Sequence, residues 1–368
     1  MADKMHIIFA AGGTGGHMMP AEAAGRVLLS RGHFVHFITD QRGDAYPDIM
    51  QGVPRTILKS GHKSGVGLFG KARLAVNILS STVKCWRHFG LDKPDVVVGF
   101  GGYPSIPALL AARARSLPTI LHEQNTVFGR SNRLLANGAK KIALSFPNTA
   151  RLSREVRDKA VETGNPVRVS VERIGQELYK APAVDQEIRI LIVGGSQGAT
   201  VLSRVVPDAL AALSEDVRSR LSIVHQGRAD DLEVVESAYM RAGIRAEVAS
   251  YFTDMDVRLG WSHLVIARAG ASTVTELAAA ARPSILVPLP TAMDDHQTSN
   301  ALYLHNAGGA ILMTEKKFSQ ATLCDVLESL FRDKISLEKM SGKAHEQARL
   351  GAAENLADVI IETAGRSS

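Results

Sequence analysis

Two periodicities alternate along this chain. Short apolar runs stand at 5–10, 34–39, 95–100, 118–121 and 141–145, lengths that suit strands rather than helices. Between them, near 19–31, 68–89, 105–115 and 129–137, apolar residues recur every three or four positions, as on amphipathic helices. The second half repeats this order. Strands are predicted near 188–193, 221–225, 246–249, 264–267, 284–287 and 310–313, and helices near 198–213, 230–242, 272–281 and 295–307. Strands spaced by helices predict parallel sheets with right-handed crossovers. The expected fold class is α/β, with two Rossmann-like domains facing across a cleft. Gly164-Asn165-Pro166 is the expected joint, because proline disfavours helix in the residue before it. The expected domains are 1–164 and 165–344. The helical tail's last segment, about 345–368, is available to pack back on the first domain.

At 368 residues the chain is long enough for two cores. It contains no run of 18 apolar residues, which predicts no membrane span, and Met1-Ala2-Asp3-Lys4 lacks the marks of a secretory signal. Two cysteines, Cys85 and Cys324, make no disulfide framework, and a reducing cytosol is the expected compartment. The net charge of +6 is unevenly spread. Residues 1–163 carry 22 Lys+Arg against 11 Asp+Glu, whereas residues 164–368 carry 21 against 26. The basic half calls for an anionic partner.

Each half opens on a glycine-rich loop between a strand and a helix, Gly12-Gly13-Thr14-Gly15-Gly16-His17 and Gly194-Gly195-Ser196-Gln197-Gly198-Ala199. Such a unit turns backbone N–H groups and a helix N-terminus toward one spot, a geometry that suits phosphate. The first loop fails the dinucleotide fingerprint, which needs a small residue where Met18 stands, although Asp40 ends the second strand as a ribose-binding acid would. His17, at a helix start, is disfavoured as a cation and is a candidate base; its plainer reading is a hydrogen bond to the loop. Arg268 to Glu276 forms another strand–loop–helix start. There Glu276 either closes a capping box from Thr273 or accepts hydrogen bonds from a ribose diol. Gln297 and Asn300 begin a helix beside it, and their amides suit sugar hydroxyls. Asp254-Met255-Asp256 has a metal-binding spacing but reads as a loop before a helix, and no His/Cys cluster has zinc spacing, so no metal is expected.

Residues 49–91 contain no acid, yet carry Arg55, Lys59, Lys63, Lys71, Arg73, Lys84 and Arg87 among apolar residues. Leu68, Ala72, Ala75, Leu79 and Trp86 fall on one helical face, the expected core face. Leu74 and Ile78 point elsewhere, and Val66, Leu68 and Phe69 stand near a glycine-rich loop. Basic residues around exposed apolar ones form the pattern of an interfacial membrane site, so Leu68, Phe69, Lys71, Arg73, Leu74 and Ile78 are its candidates. A solvated basic helix is the alternative. Nucleic acid is not expected, because few aromatics are present for stacking.

GGTGGH, GFGGYPSIP (99–107), LHEQN (121–125), GNPVR (164–168), GGSQGA, ARAGASTVTEL (267–277) and the Gln297–Asn300 segment together resemble the MurG family in order and spacing. The resemblance implies the glycosyltransferase-B fold. It also implies inverting transfer of GlcNAc from UDP-GlcNAc to the C4 hydroxyl of undecaprenyl-pyrophosphoryl-MurNAc-pentapeptide (lipid I) at the cytoplasmic face of the inner membrane. It implies that Thr14, Gly15 and Gly16 face the phosphates, that Asn125 reaches the GlcNAc, and that Arg168 and Ser196 approach the diphosphate. Ala271, Ser272, Thr273, Val274, Thr275 and Glu276 would hold the nucleotide, with Glu276 on the ribose, Phe252 near the uracil and Gln297 on the sugar. A second glutamine common in the family is His296 here. His17 is the candidate base and Arg168 the leaving-group stabiliser, with no cofactor. A UDP-GlcNAc 2-epimerase on the same fold, a nicotinamide oxidoreductase and a non-catalytic membrane-surface binding protein are the rival readings.

Overall fold

The computed structural model describes residues 4–13, 15–44, 49, 51–59, 68–195 and 198–365, the side chains of Leu68, Phe69 and Lys334 aside. The chain divides into two compact units. Unit 1 is Met1–Val167 with Gly351–Ser368, and unit 2 is Arg168–Leu350.

In unit 1 the described residues run β1 (His6–Ala10), α1 (Gly15–Ser30), β2 (Phe34–Asp40), β3 (Arg55–Leu58), α2 (Leu68–Leu91), β4 (Val96–Gly99), α3 (Ser105–Ala114), β5 (Thr119–Glu123), α4 (Arg130–Leu135), β6 (Lys141–Leu144), α5 (Arg154–Arg157) and β7 (Ala160–Glu162). They form one sheet of order β3-β2-β1-β4-β5-β6-β7, with every pairing parallel. The strands are apolar on both faces because both faces are covered. Ile7, Phe9, Val96 and Val98 join one core cluster, while Ile8, Ala10 and Val97 join another on the opposite face.

Unit 2 runs α6 (Val169–Gln176), β8 (Ile188–Val193), α7 (Thr200–Ala211), α8 (Glu215–Arg218), β9 (Leu221–Gln226), α9 (Leu232–Arg241), β10 (Arg245–Ala249), α10 (Met255–Trp261), β11 (Leu264–Ala267), α11 (Ala271–Ala279), β12 (Ser284–Leu286), α12 (His296–Ala307), β13 (Ala310–Leu312), α13 (Gln320–Arg332) and α14 (Lys334–His345). Its sheet is ordered β10-β9-β8-β11-β12-β13, again all parallel. The last helix, α15 (Ala352–Gly365), belongs to unit 1. There Leu356, Ala357, Ile360 and Ala364 share a core with Ala21, Ala24 and Leu28 of α1. Both sheets reverse strand order beside their first strand, between β1 and β4 and between β8 and β11. This is the switch point where open α/β sheets bind ligands.

Several expectations need correction. Periodicity missed β3, β7 and α6, each eight residues or shorter, and started α1 four residues late. The face of α2 is inverted. Ser81, Cys85 and Phe89 are buried and Leu74 and Ile78 half-buried along one stripe, whereas Leu79 (66% exposed) and Trp86 (44%) face solvent with Val76 and Val83. Ala72 and Ala75 are exposed too. A basic helix with apolar residues on two faces gives no sequence signal for which face meets α3.

Candidate functional site

Both glycine loops leave the carboxyl ends of the strands at the switch points. In unit 1 the loop after β1 meets the loop after β4. Gly102 lies at φ +74°, and a side chain there would begin 2.6 Å from the Gly12 carbonyl oxygen. Only glycine permits this approach. Gly101 (φ +87°) gives room to His17, whose Nε2 would stand 3.1 Å from a Cβ at that position. His17 lies in the first turn of α1, and its Nδ1 donates to the Gly12 carbonyl at 3.1 Å. A carbonyl only accepts, so this bond assigns the proton to Nδ1 and, in the neutral ring, the lone pair to Nε2.

Asp40 is no ribose ligand. Its side chain is fully buried, and Oδ1 accepts from the Gly13 N–H (3.2 Å) and the Gly43 N–H (3.0 Å). It fixes the glycine loop from beneath. Arg42, which sequence reasoning missed, lies 3.5 Å from Asp40 Oδ2 and brings a guanidinium to Gly13. Its only signal was a basic residue just past the carboxyl end of β2. Thr14 and Ser196 lie outside the described residues, as do Gln197, Lys63 and Val66.

The end of β5 carries a second set. Glu123, also missed, is 1% exposed and accepts four hydrogen bonds. Oε1 takes the Asn125 N–H (3.0 Å) and Asn125 Nδ2 (3.2 Å), while Oε2 takes the Gly129 N–H and Asn132 Nδ2, both at 2.8 Å. Burial pushes its carboxyl up against the opposing pull of these donors. Glu123 thereby holds Asn125, the residue the motif singles out. His122 beside it is fully buried. Burial lowers it to about 4, a backbone hydrogen bond to Gly164 opposes this, and the proximity of His17 adds to it. Its Nδ1 accepts from Gln124 Nε2 at 2.9 Å, so the ring is neutral.

In unit 2, α11 begins at Ala271, and Gly270 caps it in an extended conformation with no side-chain bond. The capping box from Thr273 does not form, which removes the plainer reading of Glu276. Glu276 is half-buried. Burial raises its carboxyl, the positive charge of Arg168 opposes that, and Asp256 adds to it. Arg168 caps α6, which packs on α11, and its Nε is buried without a hydrogen-bond partner. Arg168 and Asp256 therefore stand close enough to Glu276, in the middle of α11, for their charges to act on it. Ala271 and Val274 are buried, so their side chains pack the core, and the Thr275 hydroxyl donates back to the Ala271 and Ser272 carbonyls at 3.0 Å. Ser272 and Thr273 remain half-buried at the helix start.

Asp254 and Asp256 have separate protein partners. Asp254 accepts from Arg258 Nε at 2.8 Å. Burial pushes Asp256 up, but Ser170 and Arg168 hold it below the usual range. Phe252 is buried, with the Arg258 guanidinium 3.9 Å above its ring. Gln297 Oε1 accepts from the Leu289 N–H at 2.9 Å, and fully buried Asn300 donates to the Ala269 carbonyl at 3.2 Å. Asn300 is thus a fastener of the α11 loop. His296, where the family's second glutamine stands, donates to the Met293 carbonyl at 2.8 Å.

Residues 7–144 match the glycosyltransferase family 28 N-terminal domain and residues 189–356 its C-terminal domain. A relative from Rhodospirillum centenum is 46% identical over 98% of this chain and 94% of its own length. One from Zymomonas mobilis is 43% identical over 99% and 94%. Both are named UDP-N-acetylglucosamine–N-acetylmuramyl-(pentapeptide) pyrophosphoryl-undecaprenol N-acetylglucosamine transferase. The crystal structure of Acinetobacter baumannii MurG superposes with a TM-score of 0.77 at 32% identity, covering 97% of this chain and 99% of that one. With matched domains in both units and full-length relatives above 40% identity, this chain belongs to the MurG family of glycosyltransferases and has the glycosyltransferase-B fold.

Proposed function

We propose that the protein transfers GlcNAc from UDP-GlcNAc to the C4 hydroxyl of lipid I with inversion, giving lipid II and UDP for peptidoglycan synthesis. The observation that supports the donor assignment is the packing of α6 on α11, which puts Arg168, the cap of α6, beside Glu276 in the second turn of α11. A carboxylate accepts from a ribose diol, while a guanidinium and a helix N-terminus neutralise a diphosphate. The second glycine loop, Ser196 included, serves the same diphosphate. Phe252 flanks the uracil, and Gln297 reaches the sugar.

The reaction is one displacement. The acceptor oxygen attacks the anomeric carbon, the bond from that carbon to the phosphate oxygen breaks, and its electron pair leaves on UDP. Arg168 and the α11 dipole stabilise the charge that develops there. The hydroxyl proton goes to His17 Nε2, the nitrogen left basic by the Nδ1 bond to Gly12. The first glycine loop with Thr14, Gly15 and Gly16, joined by Arg42, is the phosphate-binding element of unit 1. Asn125, fixed by Glu123, contacts the GlcNAc.

No described helix is long and apolar enough to cross a membrane. We infer peripheral association through α2, which exposes Val76, Leu79, Val83 and Trp86 in one stripe beside Lys71, Arg73, Lys84 and Arg87. The Arg115 guanidinium stacks on the Trp86 ring at 4.0 Å. Such a face suits the anionic cytoplasmic leaflet that holds lipid I, each cation there being worth about 1 kcal/mol. Leu74 and Ile78 support this face from beneath.

Calorimetric titration with UDP and with NAD tests the donor assignment. The wild type should bind UDP and not NAD, and Glu276→Ala should weaken UDP at least tenfold. Binding of NAD in preference to UDP, or an unchanged UDP affinity in the variant, would overturn it.

A further inference from the structure

Arg268 leaves β11 at its carboxyl end, and its own N–H donates to the Val193 carbonyl (3.3 Å), at the root of the second glycine loop. Its side chain is 11% exposed and runs to the end of β12. There Nη1 donates to the carbonyls of Val287 (3.1 Å) and Pro288 (3.2 Å), and Glu315 Oε2 stands 3.5 Å from the same nitrogen. The next residue, Leu289, donates its N–H to Gln297 Oε1 at 2.9 Å. One turn later Asn300 returns to the Ala269 carbonyl, closing a ring of contacts that starts and ends beside Arg268. A backbone N–H only donates, so the Gln297 oxygen must lie at Leu289 and its NH2 end must be turned away from it.

We propose that Arg268, charge-balanced by Glu315, is a positioning residue for the sugar half of the donor. It fixes the Val287 and Pro288 carbonyls, which sets the Leu289 N–H, which orients Gln297 to donate its NH2 to a hydroxyl oxygen of the hexose. Recognition of the sugar is thereby separable from recognition of the nucleotide, which rests on Arg168, Glu276 and α11. This rests on the reading of unit 2 as the UDP-GlcNAc site.

The test uses the full chain and four variants: Arg268→Met, Arg268→Lys, Gln297→Ala and the double Arg268→Met/Gln297→Ala. Losing one oriented hydrogen bond should raise KM for UDP-GlcNAc about tenfold in Arg268→Met. UDP affinity should stay within about twofold, and Arg268→Lys should recover part of the loss. The double variant should be no worse than Gln297→Ala alone, because both changes remove the same contact. Glu315→Gln, a milder change, should shift KM in the same direction should Arg268→Met fail to fold. Equal losses for UDP and UDP-GlcNAc, or multiplying effects in the double variant, would show that Arg268 merely supports the fold and would overturn the proposal. A wild type that binds UDP but is unaffected by Gln297→Ala would instead remove the sugar contact itself, and the proposal with it.

Discussion

Replacing Glu123 with glutamine changes a single atom and should be costly. The carboxylate accepts from four donors, two on each oxygen, at 2.8–3.2 Å. Glutamine keeps one oxygen and puts an NH2 in place of the other. Whichever way the amide turns, two donors then face a donor in a site that is 1% exposed. A buried unsatisfied donor costs about 1–3 kcal/mol, and removing the buried charge offsets part of that, leaving a net loss of about 3 kcal/mol. For a unit of this size each kcal/mol lowers Tm by about 2–4 °C, so the unit 1 transition should fall by about 6–12 °C in Glu123→Gln. Calorimetric scans that resolve the two units give this directly. Transfer assays below the transition should also show a raised KM for UDP-GlcNAc, because Asn125 loses its anchor. A Tm within about 1 °C of wild type, with unchanged transfer, would refute the assignment of Glu123 as the acceptor that organises this loop.

Other outcomes follow from the same geometry. Arg168→Ala should leave the fold intact and cut turnover by at least a hundredfold, as loss of a leaving-group contact does; near-normal turnover would remove Arg168 from that role. His122 and His225 are both buried and lowered from 6.5 to about 4 by burial. The unfolded chain therefore binds protons first as pH falls, and stability should be full above pH 6.5 and decline toward pH 4 by roughly 3 kcal/mol per histidine. Denaturant unfolding across that range would contradict this if the midpoint stayed flat. Changing Leu79 and Trp86 to serine should weaken binding to anionic vesicles and spare UDP affinity, as should reversing the charges of Lys71 and Arg73. Unchanged vesicle binding would dismiss α2 as the membrane face.

Much of this arrangement was legible in the sequence. Glycine loops after apolar strands mark the carboxyl ends of β1 and β8, and the HEQN and ARAGASTVTEL segments carry residues that the structure puts at those same edges. What escaped depends on how the chain folds back on itself. Nothing local distinguishes Glu123 from an ordinary strand acid, because its four donors come from residues two to nine positions on, folded back over it. Arg268 reads as one more base beside a small-residue loop until β12 brings the Val287 and Pro288 carbonyls to it. Helix α2 failed for another reason. Its apolar residues occupy two faces, and only packing against α3 decides that Cys85 and Phe89 go inside while Leu79 and Trp86 stay out.

The central claim is best tested by incubating the protein with UDP-GlcNAc and a soluble lipid I analogue and determining the product's linkage by NMR. The account predicts GlcNAc joined to C4 of the muramoyl sugar in the β configuration, with one UDP released per linkage. An α linkage would contradict single displacement. Formation of the C2-epimeric sugar with no disaccharide would contradict transfer altogether and make the protein an epimerase.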